Sequence, residues 1–186
     1  MIQRSNIIWL IRHLVVCEPQ KMTIHIKHVA GNSNLGAVRN LFREYADSLA
    51  FDLFFQDFEK ELESLPGRYA FPDGCLLVAE NQDGIVGCVA VRKIEDGVCE
   101  MKRLFVRPEY RNTGTGRKLA MEIIRTAIRL GYSRMRLDTT PSMNAATSLY
   151  RSLGFYDTAP YCYNPVPGAV YLELDLGTFV DGVRPK

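Results

Sequence analysis

No CxxC pair occurs in this sequence and only three histidines do, which removes most metal and thiol chemistry at the outset. The five cysteines, Cys17, Cys75, Cys88, Cys99 and Cys162, are odd in number, and three of them (Cys75, Cys88, Cys99) lie inside apolar, strand-like runs. Reduced core thiols in a cytoplasmic protein fit that pattern better than a disulfide framework does. His25 and His28 would face opposite sides of a strand, so they make no metal pair, and no metal is expected. Long apolar runs are missing too. The candidate "NIIWLIRHLVVC" is broken by Arg12 and His13 and no A-x-A cleavage site follows, so neither a membrane span nor an export signal is expected. Repeats, low-complexity tracts and interior linkers are likewise absent.

What remains is an ordinary composition for one folded domain: 186 residues, 47% apolar and 24% charged. The pattern of a normal domain starts at Met22, in "MTIHIKHVAG", so residues 1–21 read as an N-terminal extension, 22–180 as a single domain and 181–186 as a tail. The net charge of +2 conceals an asymmetry. Residues 102–136 hold ten Lys or Arg against Glu109 and Glu122, an excess of eight positive charges, which leaves the remainder at −6. Residues 44–63 carry seven acids and one base, Lys60. One region suits a polyanion and another a cation. A nucleic-acid binder would be basic more evenly and would set aromatic platforms beside its charges, so no nucleic acid is expected as partner.

Periodicity supplies the elements. "TIHIKH" alternates as a strand; Leu35, Val38, Phe42, Tyr45 and Leu49 recur at helical spacing behind the caps Ser33 and Asn34, predicting a helix over about 34–50. A second helix, "DFEKELES", stops at Pro66 and Gly67. Three strands, "CLLVAE", "IVGCVAVRKI" and "VCEMKRLFV", are joined through Asp83-Gly84 and Asp96-Gly97 as an antiparallel meander. A helix from Arg117 to Leu130 with Gly131 as its stop then crosses over to "SRMRLDT", which makes that strand parallel to the previous one. A further helix carrying Leu149, Tyr150 and Leu153, and the alternating strand "GAVYLELDL", complete the chain. The fold class is α/β, with a mixed, mostly antiparallel central sheet flanked by helices and one parallel strand pair.

Between the third meander strand and the crossover helix lies "RPEYRNTGTGRKLA". Glycines there let backbone N–H groups approach a ligand closely, and the helix N-terminus adds a positive dipole end, so the loop is an anion site, most naturally for phosphate. A Walker loop needs Lys-Ser/Thr after its last glycine, whereas Gly116 is followed by Arg117-Lys118-Leu119. A dinucleotide fingerprint needs a third Gly or Ala where Leu119 stands, after the first strand of a parallel sheet. What is left is R-x-x-G-x-G: Arg111, Gly114, Gly116.

With "LFVRPEYRNTGTGRKLA", "YSRMRLDTTPSM" and "SLYRSLGF" in this order, the chain resembles the GNAT acetyltransferase superfamily from about Met22 to Leu176. The resemblance implies acetyl-CoA as co-substrate, without a metal. It assigns the pyrophosphate to backbone N–H groups of Asn112, Thr113, Gly114, Thr115, Gly116 and Arg117, with Arg111 in the motif, and the pantetheine arm to Leu104, Phe105 and Val106. It places a catalytic glutamate at Glu100, a general acid at Tyr150, and an oxyanion site on backbone N–H groups near Leu104 and Phe105. An amine near pKa 10.4 is mostly protonated at neutral pH and must lose a proton before attacking a thioester, so a base acting directly or through water is required. The family's frequent asparagine falls here on Met143, with Asn144 one position late, which leaves a coenzyme contact from Asn144 open. The resemblance implies a primary amine on a small molecule or peptide as acceptor; the composition and the cysteines make no membrane partner and a cytoplasmic location the expectation, and a homodimer stays open. The rival outcomes are a non-catalytic acyl-CoA sensor of the same fold and, further off, a nucleotide-binding module.

Overall fold

The computed structural model describes residues 23–31, 33–49 and 51–179, so the expectations for residues 1–21 and 181–186 lie outside the described residues. Seven strands form one sheet: β1 (His25–His28), β2 (Cys75–Asn81), β3 (Gly84–Glu95), β4 (Val98–Val106), β5 (Arg134–Thr139), β6 (Tyr156–Asp157) and β7 (Val170–Asp175), in the order β1-β2-β3-β4-β5-β7-β6. Only β4 and β5 are parallel; every other pair is antiparallel. The meander turns are the expected ones, and Gly84 and Gly97 sit at positive φ, where side chains other than glycine are strained.

Helices cover both faces because strands at the centre of the sheet are apolar on both sides. On one face, α3 (Thr115–Arg129) and α4 (Asn144–Ser152) pack Leu119, Ile123 and Tyr150 against Leu77, Val89, Cys99 and Met101. On the other, α1 (Leu35–Asp47) and α2 (Phe58–Ser64) pack Val38, Phe42, Phe58 and Leu62 against Leu76, Val78, Cys88 and Phe105. The capping expectation at α1 is corrected: Asn34 enters the helix in the left-handed conformation without a side-chain cap, and the Ser33 hydroxyl donates backward to the Ala30 carbonyl. Cys88 and Cys99 are buried thiols, and burial pushes Cys99 up to about 12.

The sheet opens at its centre. β4 and β5 pair only from Val98–Glu100 to Arg134–Arg136. Beyond that point a bulge sets Arg103 and Leu104 of β4 opposite Val89 of β3, and Arg103 takes φ 57. β4 stays with β3 as far as Val106↔Gly87, while β5 continues beside β7 to Thr139↔Val170. The two parallel strands therefore diverge as a fork.

Candidate active site

The fork leaves one edge of Leu104–Val106 without a strand partner, and that edge borders a cleft of about 540 Å3. Leu104, Phe105, Val106, Arg111, Asn112, Gly114, Gly116 and Arg117 all line it, together with Asn144, Ala145 and Leu149 of α4. The structure thus brings together eight of the ten residues expected to hold a coenzyme. Thr113 and Thr115 are not on the wall: their hydroxyls lie 2.8 Å apart, and Thr113 donates to the Tyr110 carbonyl.

The loop takes its shape from two left-handed residues, Asn112 (φ 60) and Gly114 (φ 83). The first backbone bond of α3 runs from Lys118 N–H to the Gly114 carbonyl, so the N–H groups ahead of it carry the positive end of the helix. Arg111 braces the loop through Nε to the Val106 carbonyl at 2.9 Å, with its guanidinium 5.7 Å from the Phe105 ring centre, and Arg117 reaches Ser152 Oγ at 2.9 Å. A Cβ on Gly116 would meet only ordinary contacts, Leu149 at 3.8 Å and Val106 at 3.9 Å, so the space beside it belongs to the cleft.

At the point of the fork the cleft adjoins a smaller chamber of about 40 Å3, and Tyr45, Leu104, Met143 and Tyr150 lie in its wall. The first three of these, without Tyr150, also line the cleft. Tyr150 is 7% exposed, packs against Phe155 at 5.7 Å between ring centres, and is held by burial far above the ordinary phenol range. It is therefore a protonated phenol at neutral pH.

The carboxylate on the chamber wall is Asp138, on the same strand face as Arg134 and Arg136. Burial acts to raise its carboxyl, but Lys102 Nζ at 3.3 Å and the Asn164 side-chain amide at 2.8 Å hold it below the usual aspartate value. Glu100 lies behind Lys102. It is 2% exposed, accepts Arg92 Nε at 2.6 Å and the Tyr161 hydroxyl at 3.0 Å, has Lys102 Nζ at 3.8 Å, and does not line the chamber. Glu100, Asp138 and Cys162 bring three potential metal donors within 4.8 Å of one another, but the Lys102 ammonium already balances charge there and burial pushes the Cys162 thiol up to about 11. Two residues of the chamber wall, Gln56 and Thr139, carry a buried side-chain oxygen with no hydrogen-bond partner among the described residues. Asp138, Thr139 and Gln56 were not singled out from the sequence; the two-residue period of charge through Arg134, Arg136 and Asp138 is the one signal that pointed there.

An open strand edge running from a glycine loop at a helix N-terminus to a polar chamber has the shape and the dipole that suit an extended, phosphate-bearing ligand. The chain belongs to the acetyltransferase (GNAT) family, whose model matches residues 37–155. It is 42% identical over 155 residues to an N-acetyltransferase of Schizosaccharomyces pombe named as uncharacterized, covering 82% of this chain and 95% of that protein. In fold it resembles a GNAT acetyltransferase of Staphylococcus aureus (TM-score 0.70, 20% identity, 83% of this chain and 99% of that one). It also resembles the PaiA N-acetyltransferase of Thermoplasma acidophilum, solved with coenzyme A (TM-score 0.65, 18% identity, 83% and 99%).

Proposed function

We propose that this protein transfers an acetyl group from acetyl-CoA directly to a primary amine, without a covalent acetyl-enzyme. The observation that carries this is the continuity of the open Leu104–Val106 edge with the chamber beside Tyr150. The loop from Asn112 to Arg117 takes the pyrophosphate, and the free edge of β4 pairs with the pantetheine arm. That path delivers the thioester to the fork, where N–H groups at the bulge face the oxyanion. The amine nitrogen bonds to the carbonyl carbon and the C–S bond breaks; of the two protons an alkylammonium gives up, one ends on the departing thiol by way of Tyr150 and the other leaves through the Asp138–Lys102–Glu100 cluster, with Glu100 as its terminal acceptor.

Calorimetry with acetyl-CoA, CoA and ATP, followed by thiol release over an amine panel, tests the assignment; a sensor binds acetyl-CoA and turns nothing over. Gly116→Val projects into the cleft from a position where a Cβ meets only ordinary contacts, so acetyl-CoA affinity falls by about tenfold, roughly 1.4 kcal/mol, while unfolding stays cooperative. Unchanged affinity would remove the loop from the coenzyme site.

Glu100→Gln keeps the shape and removes the base. Turnover at neutral pH falls and partly recovers as pH rises and free amine accumulates. Because the same change deprives Arg92 of its partner, the shape of the pH–rate profile is the readout rather than the rate alone. A profile with the wild-type shape would leave Glu100 as a strand residue in an ion pair.

A further inference from the structure

Where the loop ahead of the 3-10 turn Phe54–Gln56 meets the loop between β6 and β7, a groove of about 510 Å3 runs along Phe51, Thr140, Pro141, Pro165, Val166 and Pro167. Phe51 and Thr140 belong to both groove and chamber, so a molecule whose nitrogen occupies the chamber has its following atoms in the groove. The two spaces differ in chemistry. Among the described residues the groove wall is hydrocarbon broken by Thr140, Ser142 and Asp52, and contains no Lys, Arg or His. The chamber wall is polar instead: Asp138 and Gln56 lie in it, one with a carboxylate and one with an amide oxygen. These accept N–H donors.

The chamber has two cations, and both are already engaged. Lys102 lies between Asp138 at 3.3 Å and Glu100 at 3.8 Å, and Arg103 holds Glu61 with two bonds of 2.8 and 2.6 Å. A carboxylate or phosphate on the acceptor next to its nitrogen would be desolvated with no uncommitted cation beside it, and facing Asp138.

We propose that the acceptor is an apolar primary amine, alkyl or aralkyl, carrying no carboxylate beside its nitrogen. Its nitrogen docks against Asp138 and Gln56, and its hydrocarbon lies on Phe51, Pro165, Val166 and Pro167, a specificity that rests on the acetyl-transfer reaction proposed above.

The test uses the full chain at saturating acetyl-CoA, with coenzyme binding measured separately by calorimetry. Over n-propylamine to n-hexylamine, kcat/KM rises by about fourfold per methylene, the usual gain from burying that group. 2-Phenylethylamine exceeds phenylalanine, which adds only the carboxylate, by about 100-fold. Val166→Asp flattens the alkylamine series and leaves acetyl-CoA affinity as it was. A flat series in the wild-type protein, preference for phenylalanine or putrescine, or no turnover of any apolar amine by protein that acetylates another amine overturns the acceptor assignment alone; protein that binds acetyl-CoA and turns over no amine at all overturns the acetyltransferase assignment too. Failure to bind acetyl-CoA overturns the acetyltransferase assignment and the acceptor with it.

Discussion

Glu61→Gln destabilises this protein by about 3–5 kcal/mol, the usual cost of removing one member of a buried ion pair. The pair is well enclosed: side-chain exposure is 2% for Arg103 and 12% for Glu61. Arg103 Nε and Nη2 reach the two carboxylate oxygens at 2.8 and 2.6 Å, the Tyr69 hydroxyl donates a further bond at 2.8 Å, and the guanidinium lies 5.1 Å from the Phe58 ring centre. A glutamine leaves the guanidinium charged, desolvated and with half its partner gone. The loss is read in urea unfolding. The double variant Glu61→Leu with Arg103→Met removes both charges and recovers most of it, because apolar replacement of a whole buried pair is often neutral. A single variant within about 0.5 kcal/mol of wild type, the range of ordinary surface changes, would show that water reaches this pair freely.

Acid adds a second readout. Burial acts to raise the Glu61 carboxyl, but Arg103, through its hydrogen bonds and its charge, and Tyr69 hold it below the ordinary value. A carboxyl lowered in the folded state supplies stability that is fully present above its unfolded value of about 4.3 and is lost as pH falls through the lower folded value. Wild type therefore loses stability more steeply than Glu61→Gln below about pH 4. The pair also has a consequence for the site. It ties α2 to β4 at the bulged residue, so the variant loosens the position of Leu104 and lowers turnover along with stability.

That bulge shows where reading from residues stops. The meander was legible because Asp83-Gly84 and Asp96-Gly97 are turn pairs between apolar runs, and the parallel pair because a single helix separates two strands. The bulge was not. Cys99 and Met101 face α3, and so does Val106, five residues after Met101; the odd spacing means that one extra residue intervenes. With Leu104, Phe105 and Val106 all apolar, the slip of phase leaves no mark in the sequence. Gln56 was hidden for a different reason. It stands in a short 3-10 turn with no period of its own, and only the packing of Leu53 and Phe58 into the α1–α2 layer carries it to the fork. Glu100 and Tyr150 were found as isolated positions, whereas the Lys102, Asp138 and Asn164 contacts that connect the site arise from strands and loops brought together by the sheet.

Tyr150→Phe separates packing from proton transfer at that fork. The ring stays against Phe155 and only the hydroxyl is lost, so stability changes by no more than about 1 kcal/mol, the net worth of one hydrogen bond. If Tyr150 protonates the departing sulfur, kcat falls on the order of 10² or more with acetyl-CoA affinity nearly intact. The proposed acid role rests on a phenol that burial keeps protonated and on its place in the chamber wall that adjoins the open strand edge. A better leaving group sharpens the comparison. An acetyl thioester whose thiol has a lower pKa than coenzyme A departs with less help, so the Phe variant gains more from that substrate than wild type does. Equal gains in the two proteins would take Tyr150 out of the mechanism and leave it as a buried aromatic, with the proton reaching sulfur from water instead.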